Sequence, residues 1–139
     1  MNQLSGLACL LVFTFIFSLG FSAGAFAAEK LPPGVIAVAE SPMNWSDAKT
    51  YCQQQGGRLP HINNSDSLAM ADRSQITHID GFGAPGGPWP SGLPIGTFWT
   101  DTVNADSPDS SWIVSDLVGG VDVVNVFNQS ATARVACVP

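Results

Sequence analysis

The chain has 139 residues, enough for one small domain and too few for two catalytic ones. Its 11 acidic and 5 basic residues give a net charge of −6, which leaves no electrostatic footing for nucleic acid or anionic lipid. All of these charges follow an uncharged leader.

That leader contains a continuously apolar run over 10–20, which turns small at Ser22-Ala-Gly-Ala25. The pattern predicts a secretory signal peptide over 1–28 and a mature domain over 29–139. Ala25-Phe26-Ala27 matches the small-x-small cleavage rule. The stretch before the apolar run has no Lys or Arg. A retained membrane anchor is the competing reading, because about 20 apolar residues would span a bilayer. Once the leader is cleaved, no membrane insertion is expected. Cys9 lies in the leader, so Cys52 and Cys137 remain in an exported domain with one possible pairing.

After a proline-rich lead-in, the β-prone run Val35-Ile-Ala-Val-Ala39 predicts a first strand, ended by Ser41-Pro42. At Asn44 the period changes: Asn44 can cap, Asp47 follows three positions on, and Trp45, Ala48 and Cys52 share one face. A helix over 45–55 is predicted, stopped by Gly56-Gly57. Arg58-Leu59-Pro60 must leave it extended. Asn64 or Ser65 can cap a second helix over 66–74, with Leu68, Ala71 and Met70 turned inward.

The segment 80–96 is too rich in Gly and Pro to be a helix or a central strand. Phe82, Trp89 and Leu93 give this loop apolar anchors. Beyond it, β-branched and aromatic runs at 97–100, 111–114, 121–127 and 133–138 predict strands separated by turn chemistry. Val118-Gly119-Gly120-Val121 reads as a hairpin link.

Of the four tryptophans, Trp45, Trp99 and Trp112 are expected in the core. Trp89, between Pro88 and Pro90 on the loop, is the rigid aromatic that would stack on a ligand or fold back as a plug. Its removal is expected to weaken binding while barely moving the melting midpoint. His78-Ile79-Asp80 would put two polar side chains on one side of an extended segment. His61 has no partner readable from spacing. No Gly-x-Ser-x-Gly elbow, free mature thiol, phosphate-binding glycine loop or set of metal ligands is found, so neither catalysis, cofactor nor metal is expected.

Taken together, Met43-Asn-Trp45-Ser-Asp-Ala48-Lys-Thr-Tyr51-Cys52, Gly57-Arg-Leu-Pro60, Phe98-Trp99-Thr100-Asp101 and Ala133-Arg134-Val-Ala-Cys137-Val138 resemble the bacterial C-type-lectin-like domains, in particular the Lcl group and related adhesin tips. The resemblance covers most of the mature chain. It implies an α+β fold, two short helices on a small, mainly antiparallel sheet with long loops. It also implies a bond from the helix cysteine to the last strand. The calcium-holding Glu-Pro-Asn or Gln-Pro-Asp loop and Trp-Asn-Asp strand of animal lectins are absent, Trp99-Thr100-Asp101 being an echo of the latter.

The same helix and Arg-Leu-Pro segment resemble the formylglycine-generating enzymes. After Pro60, however, this chain departs from them, and it has no second late cysteine. The expected function is therefore a secreted or surface-exposed binding module for adhesion or ligand recognition, with a protein or glycan partner. Trp89, Asp101 and Phe82 are its candidate contacts. The alternatives are an oxidative protein-modifying enzyme and a structural subunit of an envelope assembly.

Overall fold

The computed structural model describes residues 30–116 and 119–139. The predicted leader, Cys9 and Val118 of the expected hairpin link lie outside the described residues. Among the described residues the architecture is α+β, with one α-helix, one 3-10 helix and six strands in two sheets.

The first strand, β1 (Ala37–Val38), pairs antiparallel with the last, β6 (Ala136–Cys137), so the two ends of the domain meet. Between them α1 (Trp45–Gln54) starts where Asn44 Oδ1 accepts the Asp47 amide, satisfying a donor that the first turn leaves free. It ends where Gly56 takes a left-handed φ of +81°. Gly57 is needed for a different reason. A Cβ there would collide with the Val138 carbonyl oxygen, at the bridge by which Arg58 joins the final strand.

Ala48 and Cys52 are fully buried, and Cys52 is bonded to Cys137 with a Cα separation of 5.3 Å. This disulfide closes a loop of 85 residues, which in the chain-entropy account destabilises the unfolded ensemble by about 4.5 kcal/mol.

The main sheet has the order β2 (Ser67–Leu68), β3 (Thr97–Asn104), β4 (Ser110–Asp116), β5 (Val121–Asn128). The last three are antiparallel and β2 joins β3 in parallel. Alternate side chains feed two cores. Trp99 and Ile113, partners across the β3–β4 ladder, pack with Ala48, Cys52 and Leu59 on the helix side. Phe98 and Val114, the next pair, pack with Ile62, Ile79, Phe82 and Leu93 on the loop side. Burial on both faces explains why β4 is buried at five consecutive positions instead of alternating.

The second helix expected over 66–74 is not formed. Ser67 and Leu68 lie in β2, and a 3-10 helix occupies Met70–Gln75 with no buried residue. Leu68 does pack against the loop-side core, whereas Met70 and Ala71 are exposed. The residues read as a helix cap make a tight turn instead. Asn63 and Asn64 have φ of +50° and +53°, and the Ser65 amide donates to Ile62 O across them. Positive φ at both central positions belongs to the hairpin turn, and asparagine tolerates it better than most residues. The Asn63 side chain then accepts from the backbone amides of Thr77 and His78 and donates to Gln75 O, tying the turn to the segment beyond the 3-10 helix.

Candidate functional site

The loop 80–96 is anchored by its apolar side chains. Phe82 and Leu93 are buried, and the Phe82, Trp89 and Phe98 rings stack in a tilted trio with centroids 5.4 to 5.9 Å apart. Trp89 is half-buried, and its indole N–H donates to Leu93 O at 3.3 Å. The ring is thus partly a plug, as one of its two readings proposed. It also forms one wall of an open hollow of about 580 Å³, whose other walls are Pro32, Pro33, Phe82, Pro88 and Pro90. His78 and Ser91 are its polar side chains. The proline-rich lead-in, read from the sequence as a mere preface, therefore forms one side of the cleft. It lies close against the loop there, since a Cβ on Gly92 would meet Lys30 O at 2.5 Å.

Beside this hollow, the period-2 spacing of His78-Ile79-Asp80 has the geometry expected of it. Ile79 is buried, and His78 Nε2 stands 3.5 Å from Asp80 Oδ1 on the other face. Asp80 Oδ2 accepts from the Arg58 guanidinium at 2.8 Å and from the His61 amide at 3.0 Å. Burial alone would raise the Asp80 pKa, but the His61 amide and the Arg58 cation outweigh it and hold the carboxyl below the ordinary aspartate range.

Asp101 is elsewhere. The β3–β4 register shifts between Trp99 and Val103, and Asp101 lies in that irregularity, where a bulge re-aims a side chain. The flanking Thr100 and Thr102 are fully buried and satisfied: Thr100 Oγ1 donates to Trp112 O, and Thr102 Oγ1 donates to Ser65 O while accepting from the Ile62 amide.

The Asp101 amide donates to Pro60 O, which brings its carboxylate to 3.4 Å from His61 Nε2 and 3.9 Å from Lys49 Nζ. Asp66 Oδ1 is 3.3 Å from the same Nε2, an atom that is buried and makes no hydrogen bond. His61 thus has two carboxylate neighbours where spacing had shown none. Burial raises the Asp101 pKa and Asp66 adds to it, against the opposing pull of Lys49 and the His61 ring.

Of the three candidate contacts, Phe82 and Trp89 are brought together and Asp101 is not among the residues lining their hollow. Among the described residues, no group of three or more His, Cys, Asp or Glu is arranged to hold a metal ion, and no helix is long and apolar enough to cross a membrane. Comparison with family models, curated proteins and solved structures finds no match to the chain.

Proposed function

We propose that this protein is an exported, non-catalytic binding module of C-type-lectin-like type that takes its ligand against Trp89. Export is supported by the apolar leader and by a disulfide suited to an oxidising compartment. Support for the finer fold comes from the helix cysteine bonded to the final strand and from the antiparallel meeting of the first and last strands. With Cys52 and Cys137 bonded to each other, neither is available as the thiol that the oxidative alternative needs.

The observation that carries the binding role is the hollow itself. An indole and a phenyl ring set among four prolines form a rigid apolar surface, pre-ordered by the packing of the loop.

The test is capture by immobilised protein from glycan and protein arrays, with and without calcium, comparing wild type with Trp89→Phe and Ser91→Trp. The second substitution fills the hollow from an exposed position. Capture that both substitutions weaken, independently of calcium, is the expected result. Capture indifferent to both would remove the hollow from consideration.

A further inference from the structure

The hollow at Trp89 does not end at His78. A smaller one of about 180 Å³, lined by Arg58, Asp80 and Val138 among others, shares both His78 and Gly81 with it. The two adjoin at these residues and are taken together as one groove, apolar at the Trp89 end and polar at the Arg58 end. Gly81 forms the junction with a φ of +74°. A Cβ there would stand 3.0 Å from Val35 Cγ2 and 3.2 Å from Val138 Cγ1, so close packing as well as the positive φ calls for glycine at this position.

At the polar end Arg58 is paired with Asp80 at 2.8 Å, so the guanidinium charge is matched. One Arg58 terminal nitrogen bonds Leu59 O and Asp80 Oδ2, and the remaining guanidinium N–H groups make no hydrogen bond among the described residues. Among the described residues Asp80 Oδ1 accepts no hydrogen bond, and the His78 ring stands 3.5 Å from it. A donor and an acceptor are thus available side by side in a neutral pair. Their complement is an uncharged group with an acceptor and a donor of its own, such as a peptide amide. An anion would meet the Asp80 carboxylate and a cation the Arg58 guanidinium.

The apolar end offers a sugar few partners, since His78 and Ser91 are its only polar side chains among the described residues. It favours a rigid, hydrogen-bond-poor chain, and a polyproline helix is both.

We infer that the groove binds an extended, proline-containing peptide segment of a partner protein, with a proline ring against Trp89 and a backbone amide at Arg58 and Asp80. This rests on the reading of the hollow as the binding site and narrows it to one class of ligand.

The disulfide-bonded protein, isotopically labelled, is to be titrated by NMR with a capped alternating Ala-Pro peptide and, separately, with soluble cello-oligosaccharide. The peptide is expected to shift the Trp89 indole signal together with the Gly81 and Gly83 amides. His78→Ala, a change at an exposed side chain, should weaken it about fivefold with an unaltered melting curve. N-methylation of the peptide's alanine amides should weaken binding about tenfold by removing the donor to Asp80. If the oligosaccharide shifts those signals and the peptide does not, the peptide inference falls and the module survives. Shifts that map away from the groove would overturn both, and a peptide that shifts nothing overturns the inference.

Discussion

The two faces of the main sheet are covered in different ways. On the helix side, Trp99 packs under an α-helix that a disulfide ties to the final strand, and its indole N–H donates to Met43 O at 2.8 Å. On the loop side, the cover is irregular chain whose order comes from the side chains of Phe82, Trp89 and Leu93. The first face thus has a covalent closure and a regular cover that the second lacks. The glycine and proline loop presents the cleft while its Phe82 and Leu93 side chains fill the core of that face.

Removing the covalent tie should have the largest effect. The double variant Cys52→Ala, Cys137→Ala should lose about 4.5 kcal/mol of unfolding free energy in denaturant titration, given the 85-residue loop the bond closes. A loss below about 1 kcal/mol would mean that the helix-side core holds the chain ends without it.

Equivalent truncations on the two faces sharpen the contrast. Trp99→Ala, at a fully buried position with its N–H bonded, should cost about 4 kcal/mol. Trp89→Ala, at a half-buried position, should cost about 2 kcal/mol. A larger loss than a small change in melting is expected because the ring packs against Phe82 and Phe98 as well as lining the hollow. Equal losses at the two sites would erase the distinction between the faces.

Local chemistry made one face far more legible than the other. Asn44, the Trp45, Ala48 and Cys52 spacing and Gly56 act within one or two helical turns, so α1 could be placed closely, and two mature cysteines left a single pairing. The segment after Pro60 misled because asparagine serves equally at a helix cap and in a left-handed turn. Which one forms here is decided by long-range bonds from the Asn63 side chain to residues 75–78.

Phe82 and Trp89 were identifiable as loop aromatics. Pro32 and Pro33 were not, because their place in the hollow comes from packing across the chain rather than from any neighbour in sequence. The same holds for the meeting of His61 with Asp101, made through the hydrogen bond from the Asp101 amide to Pro60 O.

The two shifted carboxylates offer smaller tests with opposite signs. Asp80 has a folded pKa below its ordinary value. The stability it contributes is present in full above the ordinary aspartate range and is lost as pH falls through the depressed value. Asp80→Asn should therefore cost about 1 kcal/mol at neutral pH, discounted because the Arg58 side chain is 39% exposed, and the gap to wild type should close in acid. A gap unchanged down to strongly acid pH would show that the loss is steric and not ionic.

Asp101 behaves in the reverse sense. Its folded pKa is raised, so its contribution is present below the ordinary range and is lost as pH rises through the folded value. At neutral pH the part-buried charge is a liability that Lys49, at 3.9 Å, offsets only in part. Asp101→Asn should therefore raise neutral-pH stability by a fraction of a kcal/mol, and the advantage should vanish as acid protonates the wild-type carboxyl. Paired denaturant titrations across the acid range read the sign directly. A variant less stable than wild type at neutral pH would mean that the charge on Asp101 is needed by His61 and Lys49 beside the β3 irregularity. That polar cluster would then join the disulfide as a support of the helix-side face.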